Sequence, residues 1–244
     1  EIRESLYTEL NYEIEAQNLH IFKTFHAELD DKIIIPSVFP EYSSRRILTL
    51  SQEVGESIET ASTWDLKKRN ELGRRLFQAI GQEIFYLKRF HCDPHPGNFA
   101  FREDGSVIVY DYGGVKTLNN EIVDTYKHLI NAARQQNIPA IESDLRVLNV
   151  RTDKGQIPQQ LYLDWLEVLM RPLVTNYDFA KNSSHHDGVA LVKQSLKYWD
   201  SFQPSPDTLM VNRTVSGHYW NLINLKVHDN LNDLFEQLIP NQHI

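Results

Sequence analysis

The chain has 244 residues, of which 41% are hydrophobic and 24% are charged, and its 25 Lys plus Arg against 33 Asp plus Glu give a net charge of −8. This composition excludes a disordered chain, and the acidic balance gives no general attraction to nucleic acid, which we do not expect as a partner. No apolar run reaches the roughly 20 residues that a membrane-spanning helix needs, so the sequence predicts no such segment.

The cysteine usage and the first residues bear on where the protein works. The single cysteine, Cys92, cannot form an internal disulfide, which favours a reducing compartment. Residues 1–6 are typical of the inside of a helix and not of a signal peptide, so we expect a fragment of a longer protein. We therefore expect a cytoplasmic location, and attachment of the intact protein to the surface of a membrane stays open.

The first part of the chain is predicted to form one long helix and two short strands. Apolar residues recur every three to five positions over Ile2–Glu28 without Pro or Gly, which predicts an amphipathic helix. The β-branched segments Lys32–Phe39 and Arg46–Val54 predict two strands, separated by a turn at residues 40–44.

A second long helix and a β-hairpin follow. Apolar residues at helical spacing over Trp64–Phe90, with a Ser-Thr pair at 62–63 available as an N-cap, predict the helix. Asn98–Arg102 is then expected to pair with Val107–Asp111, because Asp104-Gly105 is a favourable turn dipeptide.

The remainder is predicted to be a helical block, and we expect no strand beyond Thr117. The predicted helices are Glu121–Gln135, Pro139–Leu148, Gln159–Leu173, Val189–Trp199, Asn212–Leu225 and His228–Leu238. The sequence shows no internal repeat and no low-complexity tract.

One motif suggests chemistry. Residues 91–98 read HCDPHPGN between the second helix and the hairpin, and the second hairpin strand leads into DYG at 111–113. In the kinase pattern H-R-D-x-x-x-x-N the Asn follows the Asp by five positions, and here 98 − 93 = 5. We expect Asp93 to orient, or accept a proton from, an attacking hydroxyl or water. Asn98 and Asp111 supply the oxygen ligands that Mg²⁺ prefers.

The same loop allows other interpretations. His91, Cys92, Asp93 and His95 could form a zinc site, since all four side-chain types bind zinc, but the prolines at 94 and 96 disfavour a helical arrangement of the ligands. We expect His91 to be structural and to pack beneath the loop. For His95 two roles stay open, a contact with phosphate or substrate and simple packing of the loop.

The wording HxDPHPGN with DYG downstream resembles the AarF/UbiB family of atypical protein-kinase-like proteins, called ADCK in animals. The further matches are Glu9-Leu10-Asn11, Glu15-Ala16-Gln17-Asn18, Arg46–Gly55 and Pro206–Arg213 with Gly217, which are similar to the family's helix C, hinge and C-terminal helices. The sequence departs from the family at Asn11, where the family has an acidic residue, at Ser51, where the hinge often has Glu, and at Tyr112, which replaces Phe.

This resemblance implies a fold and a function. The fold class is α+β, mainly α, a protein-kinase-like C-lobe with a short catalytic hairpin and helix C and with most of the N-lobe missing. Residues 1–55 would hold helix C, remnant N-lobe strands and the hinge, and residues 56–244 the helical C-lobe. The implied function is that of a Mg²⁺- and ATP-dependent atypical kinase or ATPase linked to ubiquinone or isoprenoid-lipid metabolism, with lipid or quinone-biosynthesis enzymes as candidate partners.

The resemblance also assigns site residues one by one. The implied catalytic residues are Asp93, His95, Glu15 and Glu9, and the implied nucleotide-binding residues are Ser51, Gln52, Glu53, Asn98 and Asp111, of which Asn98 and Asp111 also bind Mg²⁺. Glu15 matches the glutamate that pairs with the nucleotide-binding lysine. Because that lysine and the nucleotide-binding loop are not in this sequence, we expect weak or absent turnover from this fragment alone.

Two other functions stay open. One is a pseudokinase or scaffold module that binds nucleotide or a lipid enzyme and signals by conformation. The other is a small-molecule phosphotransferase of the aminoglycoside or choline kinase type, which also uses an HxDxHxxN loop.

Overall fold

The structure is a computed structural model that describes residues 11–181 and 184–241. Its helices are α1 Tyr12–Ala27, α2 Ile58–Ala61, α3 Leu66–Gln82, α4 Asn120–Arg134, α5 Ile138–Val147, α6 Gln159–Val174, α7 Ser184–Ser195, α8 Pro206–Asn224 and α9 Asn232–Leu238. Its strands are β1 Ile33–Ile34, β2 Arg89–His91, β3 Phe99–Phe101, β4 Val107–Val109, β5 Val115–Thr117, β6 Tyr177–Asp178 and β7 His228–Asp229. None of the described helices is long and apolar enough to cross a membrane.

The chain divides into two compact units. The first comprises the described residues up to Thr117 together with Arg213–Lys226, and the second comprises Leu118–Asn212 and the residues from Val227 onward. The predicted catalytic loop, hairpin, hinge and helix C all fall in the first unit. The predicted division of the chain after residue 55 stays a prediction.

Helix α1 forms where the apolar spacing predicts a helix. Asn11 caps it by accepting a hydrogen bond from the backbone N–H of Glu13 at 3.2 Å, and Leu19 and Phe22 on its inner face are fully buried. The prediction is therefore confirmed from Tyr12 onward. Residues 1–10, which include Glu9, lie outside the described part of the chain.

The two predicted strands before Gly55 are much shorter than expected. In the first, only β1 joins a sheet, where Ile33 pairs in parallel with Val107. Pro36 follows, and proline has no N–H to donate to a ladder. The second predicted strand, Arg46–Val54, makes only isolated bridges, such as Leu50 with Val38, and was wrongly predicted as a regular strand.

The second long helix begins and ends at other residues than predicted. Asp65 is its N-cap, accepting from the N–H of Lys68 at 3.0 Å, and the Ser-Thr pair is not. The α-helical hydrogen bonding ends at Gln82 and continues as a π-helical turn over Glu83–Leu87, followed by Lys88 at φ 57°. Residues 89–90, predicted as helix, instead belong to strand β2.

The hairpin is confirmed, with β3 and β4 antiparallel and Phe99 opposite Val109. Its turn contains Gly105 at φ 86°, in the left-handed region that favours glycine. Strand β5 pairs with β2, so that His91 lies opposite Val115. These two pairings bring the segment after β2 and the segment between β4 and β5 side by side.

The second unit is mainly helical, as predicted. Ala132, Ile138, Ile141 and Tyr162 form a buried cluster where α4, α5 and α6 meet. The prediction of no strand in this region was wrong, because β6 and β7 form a two-residue antiparallel pair. The predicted start of the last helix at residue 228 is therefore a strand, and the helix begins at Asn232.

Candidate active site

The catalytic loop is held together by Asn98. Its side-chain amide nitrogen donates to the backbone oxygen of Asp93 at 3.1 Å and to the Asp93 carboxylate at 3.0 Å. His95 caps the short 3₁₀ turn Pro96–Asn98, accepting at Nδ1 from the N–H of Gly97 at 3.1 Å, and it is exposed. Because the amide nitrogen of Asn98 makes both bonds to Asp93, its amide oxygen is the atom left to bind a cation.

The segment that carries Asp111 lies directly beside this loop. The backbone N–H of Tyr110 donates to the backbone oxygen of Asn98 at 3.0 Å, and the N–H of Cys92 donates to the oxygen of Gly114 at 2.8 Å. Asp111 accepts from the N–H of Gly113 at 2.7 Å, which fixes one carboxylate oxygen within its own turn. The loop with Asp93 and Asn98 and the turn with Asp111 are therefore joined by backbone hydrogen bonds.

Glu15 approaches the same turn from helix α1. A Cβ placed on Gly113 would lie 3.2 Å from Asp111 Oδ1 and 3.5 Å from Glu15 Oε2, so both carboxylates border the same small space. Burial and the nearby charge of Asp111 raise the pKa of Glu15 to about 6, although the backbone N–H of Tyr112 acts in the opposite direction. Two neighbouring carboxylates, one of them with a raised pKa, are a suitable environment for a cation.

Helix α1 is fastened to this turn by Asn18. Its side-chain nitrogen donates to the backbone oxygen of Tyr112 at 2.9 Å, and its side-chain oxygen accepts from Arg89 at 2.9 Å. The ring of Tyr112 stacks on Phe22 with centroids 4.2 Å apart and contacts His91 at 5.4 Å. His91, 3% exposed, packs beneath the loop, as expected from the sequence.

Of the predicted hinge residues, Glu53 is hydrogen-bonded to residues at the ends of the hairpin strands. Arg102 donates to the Glu53 carboxylate at 2.9 Å, and the Tyr110 hydroxyl donates to the backbone oxygen of Glu53 at 2.9 Å. The Ser51 hydroxyl donates to the other Glu53 oxygen at 3.2 Å, while Gln52 is exposed. The side chains of Ser51 and Glu53 are thus engaged with the protein, and Gln52 faces solvent.

A residue to which the sequence analysis gave no role in the site lies beside Asp93. Arg213, on α8, has Nη2 3.7 Å from Asp93 Oδ1, and both side chains are about half exposed. On the same helix, Asn221 donates to the backbone oxygen of Pro94 at 3.0 Å. No local pattern pairs these residues, because more than 100 positions separate each of them from the loop.

The zinc interpretation of the loop is not supported. Across the described residues, no three His, Cys, Asp or Glu side chains are arranged to hold a metal ion. Burial raises the pKa of Cys92 to about 11, which disfavours the thiolate that zinc requires. Mg²⁺ makes a smaller demand, since one or two carboxylates with substrate phosphates and water complete its ligand set. The oxygens of Asn98 and Asp111 fit that requirement.

Comparisons with known proteins identify relatives of the chain. The family model described as "ABC1 atypical kinase-like domain" matches residues 1–145. Protein ACTIVITY OF BC1 COMPLEX KINASE 3, chloroplastic, from Arabidopsis thaliana is 31% identical over 132 residues, which are 52% of this chain and 18% of that protein. Atypical kinase coq-8, mitochondrial, from Caenorhabditis elegans is 22% identical over 247 residues, 98% of this chain and 32% of that protein. The chain thus spans less than a third of the length of these curated relatives.

A solved structure shares the fold. The complex of Rv3197 with erythromycin from Mycobacterium tuberculosis matches with a TM-score of 0.70 and 19% identity, over 96% of this chain and 59% of that one. At this identity the likeness shows the fold alone, and it agrees with the mainly helical α+β architecture. The family model matches more than half of the chain, which therefore belongs to the ABC1 atypical kinase-like family, and the resemblance to AarF/UbiB proteins is confirmed.

Proposed function

We propose that this chain carries the phosphoryl-transfer site of a Mg²⁺- and ATP-dependent atypical kinase or ATPase of the UbiB type. The observation that supports the proposal is that hydrogen bonds of Asn98 join the loop of Asp93 to the strand that leads into Asp111. Asn98 bonds the Asp93 carboxylate through its side chain and the strand leading to Asp111 through its backbone. Asn98 thereby links the proposed proton acceptor to the segment that carries Asp111.

Each of these residues has a distinct role in the proposal. Asp93 orients the attacking hydroxyl or water and accepts its proton, while Asn98 fixes that carboxylate and offers its amide oxygen as a ligand. Asp111 would be the second ligand, and a Mg²⁺ ion held by Asn98 and Asp111 would supply positive charge to the phosphate oxygens. Arg213 holds a positive charge beside Asp93, 3.7 Å from one carboxylate oxygen.

The nucleotide is proposed to lie along the hinge and against helix α1. The hinge residues Ser51, Gln52 and Glu53 would contact it, and Arg102 and Tyr110 support that segment from the hairpin. Glu15 would pair with a lysine supplied by a part of the protein outside this sequence. A cationic partner would lower the raised pKa of Glu15. Because that lysine is not in this sequence, we expect weak turnover from this chain by itself.

Membership of the family supports a link to ubiquinone or isoprenoid-lipid metabolism, with lipid or quinone-biosynthesis enzymes as partners. The cytoplasmic location stays a prediction, and the two relatives named above are chloroplastic and mitochondrial proteins. His95 caps the loop and is exposed, so a contact with phosphate or acceptor is compatible with its capping bond. Glu9 keeps its proposed catalytic role only by resemblance.

The test is ATP hydrolysis by the complete natural protein with Mg²⁺. Asp93→Asn keeps the size of the side chain and removes the base, and we expect the rate to fall by about 10² or more while Mg²⁺-ATP still binds. Asp124→Asn, an exposed carboxylate on α4, is the matched control and is expected to retain the parent rate.

Three outcomes would contradict the proposal. If Asp93→Asn hydrolyses ATP at a rate within twofold of the parent, Asp93 is not the base. Binding of Mg²⁺-ATP without turnover by the parent protein would favour the pseudokinase alternative. Turnover that requires an added aminoglycoside or choline would favour the small-molecule phosphotransferase.

A further inference from the structure

A buried carboxylate lies beneath the site and belongs to none of the roles above. Glu83, 5% exposed, is at the start of the π-helical turn that follows α3. One of its oxygens contacts His26 Nε2 at 2.9 Å and accepts from the Tyr112 hydroxyl at 3.4 Å. The other accepts from the backbone N–H of His91 at 3.2 Å. Both oxygens of this carboxylate are therefore used.

These partners belong to the three segments that carry the proposed site. His26 is on helix α1, the helix of Glu15. His91 precedes Asp93 by two positions, and Tyr112 directly follows Asp111. Burying a carboxylate costs several kcal/mol unless hydrogen bonds compensate it. The bonds of Glu83 to these three segments provide that compensation.

A π-helical turn connects Glu83 to strand β2. A π-type turn adds a residue to the helix and rotates the side chains that follow, and such turns are frequent at functional sites. Here the turn covers Glu83–Leu87 and is followed by Lys88, whose positive φ precedes strand β2 and His91. The turn thus leads from the buried carboxylate to the strand that precedes the catalytic loop.

A small cavity adjoins the carboxylate. It has a volume of about 20 Å³, and its polar lining comes from His26, Glu83, His91, Tyr112 and His218. Four buried ring nitrogens have no hydrogen-bond partner among the described residues. They are Nδ1 and Nε2 of His91, Nδ1 of His26 and Nδ1 of His218. A cavity of this size can hold one water molecule when two to four polar groups face it, and five polar residues contribute to this lining.

We propose that Glu83 is a positioning residue for the phosphoryl-transfer site, joining the segments of Glu15, Asp93 and Asp111, and that one water in the cavity links it to His91 and His218. This inference rests on the proposed function. Glu83 touches none of the reacting groups. It acts by holding the loop and the DYG turn at a fixed distance from helix α1.

The test compares two Glu→Gln variants of the complete protein on the same helical segment. Glu83→Gln keeps the shape but directs an amide N–H₂ at one of the donors. Glu71→Gln alters a half-exposed side chain that contacts Arg75 and is the matched control. Tyr112→Phe removes one bond to Glu83 and keeps the stacked ring, which provides a test if Glu83→Gln does not fold.

We expect Glu83→Gln to lower kcat for ATP hydrolysis about tenfold or more while KM for ATP changes less than about threefold. Amide hydrogen exchange should become faster in residues 91–98 and 110–114 together, and Glu71→Gln should leave both readouts at the parent values. Tyr112→Phe should give the same exchange pattern at smaller amplitude. A kcat within twofold of the parent, or unchanged exchange in these segments, would overturn the proposal.

Failure of the proposed function gives a different result. If the parent protein hydrolyses no ATP, the exchange measurement still decides the role of Glu83, because it needs no turnover. Faster exchange in both segments of Glu83→Gln would then support positioning without catalysis, and unchanged exchange would overturn it. A crystal structure of the parent protein should show a water within hydrogen-bond distance of His91 and His218, and a dry cavity would overturn the water bridge.

Discussion

Replacing Gly217 with alanine is expected to destabilise the protein, although alanine is the better helix former. Gly217 lies within helix α8 at the point where this helix touches the catalytic loop. A Cβ there would overlap Pro94 Cγ and lie 2.5 Å from Pro94 Cβ. The proline ring is rigid, and Asn221 holds its backbone oxygen to the same helix at 3.0 Å, so the loop cannot rotate away cheaply.

The expected magnitude follows from two opposing effects. Alanine in place of glycine within a helix gains about 1 kcal/mol in intrinsic propensity. Overpacking of a close contact costs about 1–3 kcal/mol, and the overlap with a rigid ring puts this case at the upper end. We therefore expect a net loss of about 2 kcal/mol in the free energy of unfolding, together with a displaced Asp93 and slower ATP hydrolysis.

The assay is urea unfolding of the complete protein followed by fluorescence, with ATP hydrolysis measured in parallel. Gly188→Ala on α7 is the matched control, because no described atom lies within 4 Å of a Cβ at that position. This control should gain up to about 1 kcal/mol. If Gly217→Ala is as stable as Gly188→Ala and equally active, the close packing of α8 on the loop is wrong.

Three further predictions concern titration and reactivity in the first unit. Burial lowers the pKa of His218 to about 4, although the charge of Glu83 acts in the opposite direction, so the folded protein resists protonation there. An unfolded histidine takes up its proton near pH 6.5, and the stability contributed by neutral His218 is therefore complete above about 6.5 and lost as the pH falls toward 4. This group should make the free energy of unfolding, measured in urea, about 2 kcal/mol lower at pH 5 than at pH 7, and His218→Phe should reduce the difference. An unchanged pH dependence in His218→Phe would contradict the burial of this ring. Asp111→Asn removes one cause of the raised pKa of Glu15, so a carboxyl NMR titration should give a pKa of Glu15 below about 6. An unchanged pKa would show that the two carboxylates do not interact. Cys92 is buried with its pKa raised to about 11, so iodoacetamide at pH 8 should label it quickly only after unfolding in urea, and rapid labelling of the folded protein would show an exposed thiol.

The features of the site that depend on local sequence could be predicted. Asp104-Gly105 between two apolar runs determines a hairpin, and the spacing of Asp93 and Asn98 needs only a short loop to bring the two side chains into contact. The amphipathic pattern of helix α1 likewise indicates which face is buried. In each case the interacting residues are close in sequence or share one regular element.

Long-range contacts could not be predicted in the same way. The apolar spacing of Ile80, Ile84 and Leu87 continues an α-helical pattern, so nothing local shows the π-helical turn that begins at Glu83. A glutamate in an amphipathic helix is ordinarily an exposed charge, and only its partner His26, 57 positions away, shows that this one is buried. The pairing of β2 with β5 could not be predicted for the same reason, because it depends on the chain returning after the hairpin.

Helix α8 is the clearest example of what one sequence leaves hidden. Its contacts with the loop through Asn221 and Gly217 cross more than 120 positions of intervening chain. Gly217 entered the sequence analysis only through the family resemblance, which gave no contact for it, and a glycine or an asparagine within a helix ordinarily lowers its stability. Their presence is explained only by the proline of the catalytic loop that lies against them.

Isothermal titration of Mg²⁺-ATP into the complete protein and its Asp111→Asn variant tests the central claim most directly. The parent should bind at one site, and the variant, which loses a charged ligand, should bind at least about tenfold more weakly. Removal of Mg²⁺ by a chelator should weaken the binding of ATP by the parent protein to a similar extent. Equal affinity of the parent and the variant would contradict a nucleotide-metal site built on Asn98 and Asp111.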